Sequence, residues 1–177
     1  MLCHSAGCSI EVKSYGYKTE QLGYIRLNGV AVWQAAYKGT YPNVRGVSVM
    51  TINPLTCLPQ ELRRFDTGAT RTAAPELIDY LQEVNDGSVI VGVTGDNPRT
   101  YLTNALYMLQ VFGIDVADVQ TRGSFAFIAQ KGFLAKTVLR KVLTAADSRS
   151  NPAAFNASIT GIQSSSAYNN HYVYHII

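Results

Sequence analysis

The sequence predicts an α+β, β-rich fold: a compact β-sandwich of mainly antiparallel strands with two short helices packed on it. Three observations carry that prediction. Hydrophobic residues make up 47% of the 177 and charged residues only 15%, enough apolar surface to bury a core and too few charges for a disordered chain. Short β-branched or alternating runs, separated by turn residues, fill the first third. A strand–helix–strand–helix–strand stretch follows, in which the apolar spacing switches to the helical period of about 3.6 residues and back. Helices of that kind cover an outer face of a sheet, the sheets themselves packing together.

The elements follow in order. Cys8 to Lys13 and Gly23 to Trp33 carry strand patterning, and Asn28-Gly29 supplies the positive-φ residues of a tight hairpin turn. Ile25, Leu27, Val30 and Val32 alternate with Tyr24, Arg26 and Asn28, so one face of that hairpin is expected to be buried. Gly39 to Asn43 reads as a loop, Gly46 to Ile52 as a strongly β-branched strand, Asn53 to Pro59 as a turn-rich connection and Glu61 to Phe65 as a short strand. Pro75 is suited to the first helical position, and Leu77, Ile78, Leu81 and Val84 recur at helical spacing until Asn85-Asp86-Gly87 stops them. Ser88 to Val93 is a continuous buried strand. Asp96 or Asn97 is placed to cap the second helix, with Pro98 in its first turn, Leu102, Ala105, Leu106 and Leu109 as its apolar stripe and Gly113 at its end. Val116 to Val119 and Ser124 to Ala129 are expected strands. The basic stretch from Lys131 to Lys141, including Lys136 and Arg140, reads as a solvated face. Ala145 to Asn151 is a loop and Ala154 to Ile162 a last strand. Residues 1–162 therefore form one globular domain. Residues 163–177 form a tail, polar and mobile at Gln163 to Asn170, and apolar enough to dock at Tyr172 to Ile177.

Composition also excludes. A net charge of +3 is too mild for nucleic acid, and no stretch approaches the ~18–20 apolar residues of a membrane span. The start lacks the basic end and apolar stretch of a signal peptide, so a secreted protein would be present here in mature or trimmed form. Cys3, Cys8 and Cys57 leave one thiol free or paired with another chain, with the pairing open, and Asn156-Ala157-Ser158 is a glycosylation sequon. His4, His171 and His175 lie near the ends without metal-ligand spacing, so no metal or other cofactor is expected. Eleven tyrosines suit a half-exposed sheet, and their rings also suit sugar faces.

Four signatures stand in order across the middle: Arg45-Gly46, Arg64-Phe65-Asp66-Thr67, Thr94-Gly95-Asp96-Asn97-Pro98 and Arg122-Gly123-Ser124-Phe125-Ala126-Phe127. Each sets a charged side chain at the end of an apolar run, and the spacing predicts several loops converging on one face. None supplies a nucleophile: there is no Gly-x-Ser-x-Gly, and no histidine lies in the core segments. A hydrolytic carboxylate pair would have to come from Asp66 and Asp96, and Asp66 reads instead as an Asx-type turn acceptor. Recognition is favoured over catalysis.

With Asp86-Gly87, Phe112-Gly113 and Lys131-Gly132 added, these motifs resemble the interleukin-like EMT-inducer family, also called the pancreatic-derived-factor-like domain. The similarity covers residues 23–132. The same domain type occurs in cell-surface hyaluronan-binding proteins and in the stem of the O-mannose N-acetylglucosaminyltransferase. The resemblance implies a β-sandwich with short helices, usually extracellular or lumenal, without catalytic activity. In the transferase stem a β-linked N-acetylglucosamine is held by an Arg, an Asp and an Arg, which match Arg45, Asp96 and Arg122. This chain departs from the pattern at Phe125, where the family has Trp, and at Asn97-Pro98 after the aspartate.

Carboxylates accept from adjacent sugar hydroxyls and guanidinium groups donate to sugar oxygens, so an Asp between two Arg makes a rigid donor–acceptor set. The site expected from the resemblance is therefore Arg45, Asp96 and Arg122, with Asn97 beside them and Phe125 stacking on a sugar face. The competing reading of the trio is a structural ion-pair network with Asp96 capping its helix. The expected function is that of an extracellular, secreted lectin for glycans such as those carrying N-acetylglucosamine, multivalent through a homo-oligomer or through a repeat-bearing parent chain. The alternative is a cytokine-like ligand of a protein receptor, linked as a dimer through cysteine.

Overall fold

A computed structural model describes residues 7–16, 22–36, 45–132, 139–144, 147, 153–163 and 172–176, and among these described residues it has ten strands and a short helical layer. In chain order these are β1 (Cys8–Ser14), β2 (Leu22–Leu27), β3 (Val30–Ala36), β4 (Gly46–Asn53), β5 (Leu58–Phe65), α1 (Ala73–Glu83), β6 (Val89–Gly95), α2 (Arg99–Leu102), α3 (Leu106–Val111), β7 (Ser124–Gln130), β8 (Leu139–Leu143), β9 (Ala153–Gln163) and β10 (Tyr172–Ile176). They form two five-stranded sheets, ordered β10-β9-β1-β2-β3 and β5-β4-β6-β7-β8, with every pairing antiparallel.

The central strands of the second sheet are buried on both faces, which is why β4, β6 and β7 read as continuous apolar runs, while the edge strand β5 is exposed. Side-chain alternation divides each strand between two cores. Val47 and Val49, Ile90, and Phe125 and Phe127 face α1 and the second helical segment; Met50 and Ile52, Val91 and Val93, and Ala126 and Ile128 face Ile10, Val12, Ile25 and Leu27 of the first sheet. Gly92 is cross-strand partner to Phe127, and a Cβ there would lie 2.0 Å from the Phe127 ring. The missing side chain is the space that the ring fills.

Two devices join the sheets. The Cys8–Cys57 disulfide ties the start of β1 to the β4–β5 connection. At the other end of β1, the buried Ser14 hydroxyl donates to the Thr94 carbonyl (2.6 Å) and accepts from the backbone N–H of Phe125 (3.2 Å), which also donates to Thr94 Oγ1 (2.8 Å).

Several expectations need correction. Val116 to Val119 is no strand; the Asp115 carboxylate accepts from Ala117 N–H and Arg99 donates to the Val116 carbonyl, holding a turn from which Ile114, Val116 and Val119 still reach the core. The second helix is interrupted by a 3₁₀ turn at Thr103–Ala105 and starts after Pro98, with no side-chain cap from Asp96 or Asn97. Pro75 is the third residue of α1, still within the first turn, where its missing N–H costs no bond. Lys131 is no solvated charge: its ammonium donates to the carbonyls of Leu81 and Gln82 and closes the C-terminal end of α1. Within the basic stretch β8 pairs with β7, and β10 docks the C-terminal apolar run against β9. The loop expected at Gly39 to Asn43 and most of those expected at Ala145 to Asn151 and Gln163 to Asn170 lie outside the described residues, Gln163 itself ending β9.

Candidate ligand-binding site

Antiparallel register decides where the four signatures go. β4 begins where β5 and β6 end, with Gly46 paired to Gly95 and Val47 to Phe65. Arg45, Asp66 and Asp96 therefore leave three adjacent strands at one end of the sheet. The β6–β7 ladder runs out to Val93↔Ala126; three residues farther along each chain lie Asp96 and Gly123, beside Arg122. The convergence of loops expected from the spacing is what the topology builds.

The loops are knitted to one another. Thr67 Oγ1 donates to the Pro98 carbonyl (2.8 Å), and Tyr101 N–H donates to the Thr67 carbonyl (2.8 Å). Gly46 lies at φ +93°, where a Cβ would meet the Phe65 carbonyl at 2.1 Å, so the Arg-Gly step is dictated by backbone crowding. Gly68 has the same role between loops: a Cβ there would stand 2.3 Å from the Asn97 carbonyl and 2.6 Å from Arg45 Cγ.

The expected residues differ in what they do. Arg45 makes a two-pronged pair with Asp66, Nε to Oδ1 and Nη2 to Oδ2, both at 2.8 Å. Asp66 Oδ1 also accepts from Ala69 N–H (3.2 Å), so the turn-acceptor role holds, with an ion pair that the sequence reading missed. The Arg45 guanidinium holds the Asp66 carboxyl below the usual carboxylate range against the opposing effect of burial. A carboxylate held ionised in this way is poorly suited to act as an acid.

Asp96 is only 5% exposed, sits at φ +38° and carries an Oδ1 that is buried without a hydrogen-bond partner. Asn97 is half-buried; its amide donates to Thr100 Oγ1 (2.8 Å), while its Oδ1 is likewise buried and unpartnered. Arg122 is exposed on the turn before β7 at φ +63°. Of the four non-glycine residues at positive φ among the described residues, two are therefore Asp96 and Arg122. Such backbone costs about 1–3 kcal/mol per residue and persists where the surroundings impose it.

Phe125 is 1% exposed, in the helix-side core 5.4 Å from the Phe127 ring, so burial removes it from any stacking role. Its position next to a surface arginine hid this: β7 turns Phe125 inward, and both faces of the sheet are covered. Ser124, also buried, carries a hydroxyl without a partner directly behind the Arg122 turn. No motif points to that group or to Ser14, whose hydroxyl accepts from the neighbouring Phe125 N–H.

Among the described residues no group of three or more His, Cys, Asp or Glu is placed to hold a metal ion, and no helix is long and apolar enough to cross a membrane. A family model described as "Interleukin-like EMT inducer" matches residues 45–133, the stretch that holds β4 to β7 and the helices, with β8 and the first sheet outside it. No curated protein matches the chain.

Proposed function

Because the chain belongs to the interleukin-like EMT inducer family, we propose that it is an extracellular, non-catalytic glycan-binding module whose ligand seats at the loop end around Asp96 and Arg122. The observation that carries this reading is the buried Asp96 carboxylate with an unpartnered Oδ1. An unsatisfied buried acceptor costs about 1–3 kcal/mol, and a sugar hydroxyl that reaches it recovers that cost. Arg122 supplies fork-shaped donors at the rim of the same loops, and Asn97 adds a second unpartnered carbonyl oxygen. Arg45 acts from behind: its pair with Asp66 fixes the loop on which Asp96 and Asn97 rest, through Thr67 and Gly68. The disulfide is compatible with an oxidising, extracellular setting.

A glycan array probed with the folded domain, with and without calcium, tests the reading. Selective binding that disappears in Asp96→Ala and Arg122→Ala supports it, and binding that survives both places the site elsewhere. A blank array from folded protein overturns it. The Cys8–Cys57 bridge leaves Cys3 as the third cysteine. A blank array together with a dimer on non-reducing gels that vanishes in Cys3→Ser turns the assignment to a receptor ligand.

A further inference from the structure

A cleft of about 460 Å³ opens between β5 and the C-terminal end of α1, remote from the loops around Asp96. Asn85 and Ser88, in its wall, precede β6, whereas Asp96 follows it, and the seven residues of that strand span about 20 Å. The wall is polar throughout, with Val84 the apolar exception. Glu61 and Glu83 contribute two carboxylates, Thr51 and Ser88 hydroxyls, and Asn85 an amide. The lining holds two carboxylates and no cation of its own, on a protein of net charge +3.

Tyr80 provides the independent sign of a ligand. The residue is 2% exposed, lines the cleft, and its hydroxyl is buried without a hydrogen-bond partner. Burial pushes the Tyr80 hydroxyl up from its ordinary value and the neighbouring Thr51 acts against that, yet no hydrogen bond of ordinary length and angle joins the two. Beside the cleft the molecule also displays the chemistry that this wall accepts. The Arg63 guanidinium lies 4.8 Å from the centroid of the Tyr80 ring and donates from Nε to Glu61 (2.7 Å), with Glu83 adding attraction. An aromatic ring flanked by carboxylates is a cation site, and Arg63 occupies its rim. That ion pair is nearly half exposed on both sides, so it is weak and can be displaced or shared.

We infer that this cleft binds an organic cation, the ammonium or guanidinium group of a basic side chain or of a polyamine. Glu61 and Glu83 supply the countercharge, and the Tyr80 hydroxyl accepts an N–H. The closing Lys131 neutralises part of the α1 end, so the two glutamates carry the attraction. Binding of a lone cation at so open a site is weak, with a Kd of about 1 mM, and it is sharpest at low ionic strength.

The test is a ¹⁵N-HSQC titration of the intact domain with spermidine, N-acetyl-lysine amide, N-acetyl-arginine amide and, as the neutral control, N-acetylglucosamine. The cations are expected to shift the amides of Glu61, Tyr80, Glu83 and Ser88. The double variant Glu61→Gln/Glu83→Gln should weaken this about tenfold, and Asp96→Ala should leave it unchanged. Tyr80→Phe, which keeps the ring, reports separately on the hydroxyl and should also weaken binding. Shifts with spermidine alone identify a diffusible polyamine; shifts with the capped amino acids identify a basic side chain of a partner. Absence of shifts with every cation overturns the inference, as do shifts that persist in a folded Glu61→Gln/Glu83→Gln variant. Equal response to N-acetylglucosamine would make the cleft a polyol site and overturns it as well.

Discussion

Replacing Asp66 by Asn removes a charge while keeping shape and one acceptor oxygen. In the native protein both carboxylate oxygens take a 2.8 Å bond from Arg45, and Oδ1 also serves Ala69 N–H. Asn turns one oxygen into a donor facing a donor. Hydrogen bonds to charged groups contribute about 1.5–3 kcal/mol each. Side-chain exposures of 27% for Arg45 and 19% for Asp66 screen the pair, and the retained oxygen recovers part of the loss, leaving a net cost of about 1.5 kcal/mol. In a domain of this size that lowers Tm by about 3–6 °C. The effect has a pH signature. Arg45 first, and Arg64 more weakly, depress the folded-state pKa of Asp66 below its ordinary 3.8, so the stabilisation is fully present above that value and is lost as pH falls through the folded-state value. Urea unfolding of both proteins at pH about 7 and about 2.5 should show the stability gap in the first condition and a narrower one in the second. A gap of the same size in acid would refute the reasoning, because the loss would then come from the shape of the Asn turn and not from charge. No gap at neutral pH would show that solvent screening leaves the pair energetically silent.

Three further outcomes are expected. Gly92→Ala forces a methyl against the buried Phe127 ring and should cost about 1–3 kcal/mol in urea unfolding; pairing it with Phe127→Leu should recover part of that, whereas strict additivity would mean that ring and methyl never meet. Breaking the Cys8–Cys57 bridge frees a loop of 49 residues and should destabilise by up to about 4 kcal/mol, read as the Tm difference between native protein and a Cys8→Ser/Cys57→Ser variant. Ser14→Ala should cost about 2 kcal/mol and loosen hydrogen-exchange protection at Thr94 and Phe125, while leaving amides around Tyr80 unaffected.

The sandwich was legible because its signals are local. Gly46 to Ile52 and Ser88 to Val93 are apolar runs of strand length, Asn28-Gly29 is a turn in two residues, and the stripe from Leu77 to Leu81 is helical on sight. What escaped was set by partners distant in sequence. Nothing near Val116 announces that Arg99 will take its carbonyl, and nothing near Lys131 announces a helix end 49 residues earlier in need of a cation. The family resemblance foresaw Arg45, Asp96 and Arg122 as a group, and the strand register does bring their loops to one end. It did not foresee that Arg45 would be engaged with Asp66. Phe125 was misjudged because a strand covered on both faces has no outward side, a property of the second sheet's neighbours and not of the strand's own residues.

The two sheets also differ in when they can exist. Every strand of the second sheet lies between Gly46 and Leu143, whereas β1 is flanked by β2 and β9, with Cys8 opposite Ile159. As the chain leaves the ribosome, the matched stretch can condense around its helices while the first sheet waits for its last two strands. Until they arrive, Ile10, Val12 and Ile25 have only part of their final cover, and the nascent protein presents an apolar face. Closure by β9 is the long-range step of this sheet, so loss of that strand uncovers β1 along its whole length.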